Sequence, residues 1–353
     1  MHELTEILQA AAASPQPSAL ATILHVRGSS FRRAGARLWL GVASRVGSVS
    51  AGCLEHDLAE RSRAVIESGE PALVSYDTSS EDDILWGTSS GCGGRLEILL
   101  EPWTTELEST LSLAEKSLSA RESCVIVHEW EDGQIRRAFF PREEKMACAS
   151  ELRSVALEAI EAGRSAMAVT DAGGVRLLEV LAPPIALTLF GGGEDARRVA
   201  ALGAFLGWSV AMVHRSFAER PPSIEGVRSF PALAGDHPAD PRSAVVIMSH
   251  DYYHDAEILK AAVAWPAGYL GIVGPARRTA DLLKTAGLSG SELGRLHSPA
   301  GLDLGGETPA EIALSIVSEI QALLNGHRGG PLKESSGPIH RPAISREPAT
   351  TGK

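Results

Sequence analysis

One stretch of the chain, from Ile185 to Arg215, restricts its fold more than any other. The unbroken apolar run from Ile185 to Phe190 has the length of a strand buried on both faces. Three glycines follow, apolar residues then recur at helical spacing up to Gly207, and Ser209 to Val213 is a second apolar run. Strand, glycine turn, helix and strand in this order fit a G-x-G-x-x-A fingerprint. The sequence therefore predicts an α/β fold with a doubly wound parallel sheet here.

The chemistry of this fingerprint is only partly kept. Gly191 suits the tight turn, and Gly193 would let a phosphate approach the backbone at the start of the helix. An NAD site also needs a carboxylate at the end of the second strand, where this chain has His214. Glu194 and Asp195 place negative charge on the first helical turn, where it repels a pyrophosphate. The pattern favours a Rossmann-like fold and leaves open whether its crevice holds a nucleotide.

Length and composition predict two domains and a protein of the cytoplasm. A chain of 353 residues with Pro183-Pro184 near its middle suggests an α+β domain over 1–182 and a Rossmann-like domain over 183–325. The remainder, 326–353, lacks periodicity and is expected to be disordered. No apolar run has the length of a membrane helix, so no membrane partner is expected. The formal net charge of -11 argues against nucleic-acid binding.

The amino-terminal half contains an unusual group of arginines in an acidic protein. Arg32, Arg33 and Arg37 follow Gly28 within one short segment, and Ser30 adds a hydroxyl. Guanidinium forks match the geometry of phosphate and carboxylate, so these residues are candidates for binding an anion. The alternative is a solvated turn whose arginines pair with nearby acids.

The four cysteines form no C-x-x-C pair, which indicates neither a zinc ribbon nor a disulfide framework. Cys53 directly precedes a predicted helix, and Cys92 has glycines on both sides. These two thiols could meet at one ligand, or each could be a small buried side chain under a tight turn. Cys124 and Cys148 lack such a setting and are interpreted as structural.

Polar residues also follow two buried strands of the carboxy-terminal half. His250 and Asp251 come directly after one strand, at the edge where ligands of doubly wound sheets lie. His250 and His254 with nearby aspartates are a metal alternative, although capping of the next helix explains an aspartate more simply. Gly274 and Arg277 stand at another helix start, where two successive arginines suggest an anion between them.

Taken together and in order, several segments resemble one family, the xanthine dehydrogenase accessory factors called XdhC/CoxI. The resemblance extends to about Asn325, and family members usually have G-A-G-H and an aspartate where Glu194 and His214 stand here. The segments that carry the resemblance are Gly28 to Arg37, Gly47 to Glu55, Gly91 to Glu97, Gly191 to Ala196, Ser249 to Asp251, Gly271 to Arg278, His297 to Asp303 and Gly306 to Pro309.

The resemblance implies a protein that binds molybdenum cofactor, a pterin dithiolene with a phosphate. Such a protein would hold the cofactor during sulfuration by a cysteine desulfurase and pass it to a xanthine dehydrogenase or carbon monoxide dehydrogenase. We expect cationic side chains and thiols of the first half to face the glycine turn of the second across a shared cleft. The predicted cofactor-binding residues are Ser30, Arg32, Arg33, Arg37, Cys53, Cys92, Gly191, Gly193, His250, Asp251, Gly274, Arg277, Asp303 and Glu307.

Two other functions remain open at this point. One is an NAD(P)-dependent oxidoreductase that uses Gly191 to Ala196, in which His214-Arg215 leaves weak room for NADP. The other is a regulatory member of the family that only binds a dehydrogenase or a desulfurase. A cofactor-binding chaperone is preferred over an enzyme, and the oligomeric state, including a homodimer, stays open.

Overall fold

The computed structural model describes residues 2–77, 94–142, 151–170, 174–214, 223–231, 240–289, 294–334 and 344–346. The chain divides into two compact units, Met1–Pro183 with Ser335–Lys353, and Pro184–Glu334. The division between the units falls inside the proline pair, where the chain has neither helix nor strand.

The amino-terminal unit mixes helices with antiparallel strands, as the α+β pattern predicts. Its described elements are, in order, α1 (His2–Ala13), β1 (Ala19–Gly28), β2 (Arg37–Leu40), β3 (Arg45–Gly47), α2 (Glu55–Ser68), β4 (Ala72–Asp77), β5 (Gly94–Pro102), α3 (Thr105–Ser119), β6 (Cys124–Glu131), β7 (Gln134–Pro141), α4 (Glu151–Ala162), β8 (Ala166–Val169) and β9 (Val175–Leu181).

Two sheets form this unit. The first is antiparallel, with strand order β3-β2-β1-β5-β4, and the second contains β8-β9-β6-β7. The Asp132-Gly133 pair makes the β6–β7 hairpin with positive φ at both residues, as two-residue hairpin turns require. Buried side chains of the two sheets, among them Leu24 and Leu177, pack in one cluster. This packing brings β2 of the first sheet close to β9 of the second, with consequences for the charged residues on both strands.

The carboxy-terminal unit has six parallel strands with helices on both faces, so the Rossmann-like prediction is confirmed. Strand order β12-β11-β10-β13-β14-β15 reverses between β10 and β13, the position at which ligands of such sheets lie. The described elements are β10 (Ala186–Phe190), α5 (Glu194–Phe205), β11 (Ser209–His214), β12 (Val227–Pro231), β13 (Ser243–Ile247), α6 (Tyr252–Ala262), β14 (Tyr269–Ile272), α7 (Ala276–Ala286), β15 (Leu296–His297) and α8 (Pro309–Leu324).

The last helix of this unit begins and packs as its sequence predicts. Thr308 and Glu311 form a reciprocal capping box at the start of α8, and Pro309 occupies the first turn, where its missing N–H costs nothing. Ile316 and Ile320 of the same helix are fully buried in the cluster that also covers α5. None of the helices in the described ranges is both long and apolar enough to cross a membrane.

The tail predicted to be disordered, 326–353, contains two short elements. A 3-10 helix spans Leu332–Glu334, and β16 (Ile344–Arg346) pairs in parallel with β8. In this pairing β16 covers the backbone groups that the edge strand β8 would otherwise leave unpaired.

Candidate functional site

The arginine segment of the amino-terminal unit lies along a cavity of about 510 Å³. This volume is within the range of roughly 300–1,000 Å³ that is usual for small-molecule sites. Arg32, Arg33 and Arg37 all line the cavity, so the structure brings these three predicted residues together. The other lining residues are Glu3, Leu4, Ile7, Phe31, Ala34, Gly35, Ala36, Ser165, Glu179, Val180 and Leu181.

At the rim of the cavity, Arg32 is paired with an acid that sequence reasoning missed. Its Nη2 donates to both carboxylate oxygens of Glu3, at 2.8 and 2.6 Å. The two side chains are 32% and 38% exposed, so solvent screens the pair. Arg33 and Phe31 are also exposed here, the latter to 58%. The rim thus presents a cation and an aromatic ring to anything that enters.

The hydroxyl of Ser30, another predicted ligand, is used within the loop. Ser30 Oγ donates to the carbonyl oxygen of Arg32 at 2.5 Å and so fixes the turn that carries the arginines. In this arrangement the hydroxyl proton cannot also be donated to a phosphate. The role of Ser30 is therefore to shape the loop.

At the floor of the cavity, Arg37 is held in a buried ion pair. Its two terminal nitrogens donate to Glu179 at 2.7 and 2.5 Å, and the side chains are only 7% and 4% exposed. Gly35 permits this approach, because it has φ +90° and a Cβ there would lie 2.8 Å from Glu179 Oε1. The sequence makes Arg37 a candidate for binding an anion. The structure instead makes it a core cation, since its fork is already occupied by Glu179.

Glu179 has a second buried polar neighbour in His128. The ring Nε2 of His128 lies 3.0 Å from Glu179 Oε2. Burial by itself raises the pKa of Glu179, but the charge of Arg37 and the hydrogen bond to His128 lower it to about 2. Burial lowers the pKa of His128 to about 4, against the opposing effect of Glu179. At neutral pH this buried cluster, to which the cavity floor belongs, therefore contains a carboxylate, a guanidinium and a neutral imidazole.

The first glycine of one motif of this unit pairs with the last glycine of the other. Gly28, at the end of β1, stands opposite Gly94, at the start of β5. A Cβ on Gly94 would collide with the carbonyl oxygen of Ser29, so the close approach requires a glycine. Cys92 lies just before Gly94, but outside the described residues, so its predicted proximity to Cys53 stays a prediction.

The turn before Cys53 is fixed by the carboxylate of Glu55, the last residue of the segment Gly47 to Glu55. Glu55 accepts hydrogen bonds from the amides of Val49 and Ser50 and from the Ser50 hydroxyl. Ser50 Oγ in turn accepts from the amides of Gly52 and Leu54, at 3.0 and 3.1 Å. Burial raises the pKa of Glu55, but the Ser50 hydrogen bonds outweigh it and lower the pKa overall.

This turn leaves Cys53 half-buried against the core of the first sheet. Its thiol forms no disulfide within the described part of the chain. Cys124 differs, because it is buried and burial raises the pKa of its thiol to about 12. A thiol that is partly exposed on a fixed loop can reach a ligand, whereas the buried thiol of Cys124 is inert. Cys148 lies outside the described residues.

In the glycine turn of the carboxy-terminal unit, Gly191 is packed against other backbone and Gly193 faces open space. Gly191 has φ +148°, and a Cβ there would lie 2.7 Å from the carbonyl oxygen of Met248. Gly193 precedes α5 with φ -68°, and a Cβ on it would meet nothing within 4 Å. The first glycine is thus required by packing against the end of β13. The second leaves the amides at the start of α5 open to a ligand.

The charges of the turn are arranged differently from the sequence expectation. Glu194 accepts from Arg197 and Arg198 of its own helix, each at 2.8 Å, so its negative charge is partly neutralised. His214 ends β11 and is buried, at the place where the fingerprint puts a ribose-binding carboxylate. Arg215 lies outside the described residues.

Contacts within the protein account for Asp251 and Asp255, the two aspartates that follow β13. Asp251 caps α6 by accepting from the amide of His254 at 3.2 Å, as the capping interpretation predicts. Asp255 is fully buried and accepts from Ser249 and from Arg278 at 2.7 Å. His250 is exposed with φ +63°. Within the described ranges, no three side chains among His, Cys, Asp and Glu are placed to hold a metal ion.

The link from Asp255 to α7 also changes the interpretation of the arginines there. Arg278 serves as the partner of Asp255, so an anion between it and Arg277 is not needed to explain its position. Arg277 itself is exposed, beside Gly274 with φ +136°. Three predicted segments follow the carboxyl ends of the neighbouring strands β10, β13 and β14. They are Gly191, His250 and the loop with Gly274.

Glu319 of α8 organises the loop that follows β15, and sequence reasoning missed it. It accepts from Tyr269 Oη at 2.6 Å and from the amide of Gly301 at 2.8 Å, and it lies 3.1 Å from His297 Nδ1. The His297 ring stacks on Tyr269 with centroids 4.7 Å apart. A carboxylate at the border of an apolar helix stripe is the signal that could have pointed to it.

The two acids predicted from this region are at the surface. Asp303 and Glu307 are both exposed, and the amide of Glu307 donates to Glu311 of the capping box at 3.0 Å. The network around Glu319 fixes the loop between β15 and α8 on which Asp303 stands.

Two family models match the chain and together span more than half of it. The model described as the XdhC and CoxI family matches residues 11–77, and the XdhC Rossmann domain matches residues 187–320. The chain belongs to the XdhC and CoxI family. The first match contains Arg32, Arg33 and Cys53, and the second contains the glycine turn, whereas Glu179 lies in neither.

Two proteins that are similar to this XdhC/CoxI chain carry the name xanthine dehydrogenase, and a third is uncharacterized. The chain is 29% identical over 324 residues to a probable xanthine dehydrogenase subunit of Bacillus subtilis (strain 168), covering 89% of this chain and 95% of that protein. The crystal structure of a xanthine dehydrogenase from Bacillus halodurans is 26% identical with a TM-score of 0.75, covering 94% of this chain and 99% of that one. "Uncharacterized protein YqeB" of Escherichia coli (strain K12) is 31% identical over 163 residues, which is 43% of this chain and 30% of that protein.

Proposed function

We propose that this XdhC/CoxI chain is a cytoplasmic accessory factor of a molybdenum hydroxylase of the xanthine or carbon monoxide dehydrogenase type. In this role it binds molybdenum cofactor, presents it to a cysteine desulfurase and delivers it to the client enzyme. The observation that carries the proposal is the match to the Bacillus subtilis protein over 95% of that protein's length, since its name ties it to xanthine dehydrogenase.

The amino-terminal cavity offers groups that fit such a cargo. A phosphate with two negative charges suits the solvent-accessible guanidinium groups of Arg32 and Arg33 at the cavity rim. The thiol of Cys53 is a soft ligand that suits molybdenum or its sulfur, and it is half-buried in the same unit. Ser30 and Arg37 are left out of this set, because their donors are used inside the protein.

A transfer assay tests this function. The chain is loaded with molybdenum cofactor and mixed with xanthine dehydrogenase that was made in cells lacking the cofactor, and xanthine oxidation is followed. We expect wild-type protein to restore activity, with restoration by Arg32→Ala and Cys53→Ala lower by about tenfold. Arg61→Ala is the matched control, because Arg61 is a surface arginine paired with Asp57 on α2. Equal restoration by all four proteins would show that the assigned groups do not hold the cargo.

A second function rests on the carboxy-terminal unit. The strand order and the open helix start at Gly193 favour a nucleotide in this crevice, as an NAD(P)-dependent oxidoreductase would need. The buried imidazole of His214, in place of a carboxylate, argues against tight NAD binding. Calorimetric titration with NAD and with NADP separates the two functions. A dissociation constant below about 10 μM for either nucleotide would favour the oxidoreductase, since typical KM values lie between about 1 μM and 1 mM.

A further inference from the structure

The rim and the floor of the amino-terminal cavity contain the same kind of ion pair in two different environments. Breaking the Arg37–Glu179 pair would leave a charge buried without a partner, which is costly. Arg32 and Glu3 are each about one-third exposed, and an exposed pair of this kind contributes little to stability. Of the two arginines, Arg32 is therefore the one that can exchange its partner for a ligand.

Glu3 can leave Arg32 without disturbing the helix that carries it. Leu4 and Ile7 of α1 are buried in a cluster with Leu107 and Trp39, so the helix stays anchored. Glu3 stands in the first turn of α1, where the helix dipole favours a carboxylate whether or not Arg32 is present. Only the Glu3 side chain has to move, and it has solvent to move into.

We infer that the Glu3 carboxylate is a resting counter-ion of Arg32, which the phosphate monoester of the ligand displaces when it enters this cavity. A phosphate monoester carries about -1.5 to -2 charges, against one for Glu3, so it is the stronger partner for the guanidinium. Phe31, exposed beside it, offers a face to a planar heterocycle. The inference names the ligand class of the site and rests on the proposed function only for the identity of the cargo.

The Glu3 carboxylate then competes with the ligand for Arg32. Removing its charge should therefore tighten ligand binding. Glu3→Gln keeps the shape of the side chain but removes the charge that Arg32 must exchange. The probes are 6-hydroxymethylpterin phosphate and 6-hydroxymethylpterin, which differ only in the phosphate, followed by pterin fluorescence on the full-length chain. We expect Glu3→Gln to bind the phosphorylated probe about two- to fivefold more tightly than wild type, with no change for the other probe.

Two further variants isolate the exchange from general electrostatics. Glu6→Gln removes a charge from the same helix, where Glu6 pairs with exposed His2 at 3.0 Å, and should leave both affinities unchanged. Arg32→Gln should weaken binding of the phosphorylated probe and abolish the effect of Glu3→Gln in the double variant. An equal gain in Glu6→Gln, a gain that persists without Arg32, or no gain at all would overturn the inference.

The outcomes separate this inference from the proposed function. Retention of molybdenum cofactor by the wild type with no response to Glu3→Gln would overturn the inference and leave the function standing. The expected pattern with the pterin probes, in a chain that never retains molybdenum, would support the inference and overturn the function. Failure of every protein to bind the phosphorylated probe would overturn the inference.

Discussion

The Arg32–Glu3 and Arg37–Glu179 pairs begin from one short segment yet end in opposite environments. Arg32 lies in the loop after β1 and meets an acid of the first helix, with about a third of each side chain exposed. Arg37 starts β2 and meets an acid of the second sheet, with both side chains buried. The sequence presents these arginines as equivalent candidates. Burial divides them into one cation that is available for exchange and one that holds two sheets together.

This difference shows how a single segment can serve structure and binding together. The buried pair fixes the position of the segment relative to the second sheet, since Arg37 also donates to the carbonyl of Gly35 at 3.1 Å. The exposed end of the same segment can then present Arg32 and Arg33 at a defined place. Breaking the buried Arg37–Glu179 pair should therefore destabilise the unit. Breaking the exposed Arg32–Glu3 pair should change ligand binding and leave the fold intact.

The largest expected effect compares the two acids directly. Glu179→Gln leaves the charge of Arg37 buried without its counter-charge and should lower the free energy of unfolding by about 3–5 kcal/mol. Glu3→Gln should lower it by less than about 1 kcal/mol, because the rim pair is solvated. Urea denaturation of both variants measures the difference. Similar losses in the two variants would remove the distinction between rim and floor.

A smaller effect extends the comparison to the glycines of the carboxy-terminal unit. Gly191→Ala forces a Cβ against the carbonyl oxygen of Met248 at φ +148° and should cost about 1–3 kcal/mol. Gly193→Ala should cost less than about 1 kcal/mol, because its φ of -68° is ordinary and the space beside it is open. Thermal and urea unfolding check both values. A larger cost for Gly193→Ala would mean that the helix start is closed by protein.

A further effect concerns the response to pH of Glu179 and its neighbour His128. The pKa of His128 is lowered in the folded chain to about 4, below its ordinary 6.5, so the unfolded chain takes up the proton first. Stability should fall as the pH drops from about 6.5 toward 4. The lowered pKa of Glu179, about 2, extends the loss below its ordinary 4.5.

His128→Gln provides the test of this assignment. Removal of the imidazole should make the variant less sensitive to acid, so its stability deficit relative to wild type should narrow between pH 6.5 and 4.5. Melting temperatures measured at intervals of half a pH unit reveal the trend. A constant difference across this window would show that His128 does not take up its proton on unfolding.

Local patterns in the sequence predicted much of the fold. The glycine turn at Gly191 indicated a doubly wound parallel sheet, and Asp132-Gly133 and Thr308 are local signals of the hairpin and the helix start that the structure contains. Each of these features depends on residues within a few positions of one another, where periodicity and turn chemistry act directly.

The partners of the site residues could not be predicted in the same way. Glu179 lies 142 positions from Arg37, and nothing local to either residue indicates that two sheets bring them together. Glu3 and Arg32 are likewise 29 positions apart. The pairing of Glu194 with Arg197 and Arg198 can be predicted from the sequence, because spacings of three and four residues place side chains on one helix face. The expected cleft shared by the two halves stays a prediction.

The most direct measurement of the central claim is the molybdenum and pterin content of the chain purified from cells that make the cofactor. Elemental analysis and mass spectrometry of wild type, Arg32→Ala and the control Arg61→Ala are compared. We predict near-stoichiometric molybdenum and pterin in wild type and in the control, and a clear loss in Arg32→Ala. Wild-type protein that carries neither molybdenum nor pterin from such cells would contradict the account.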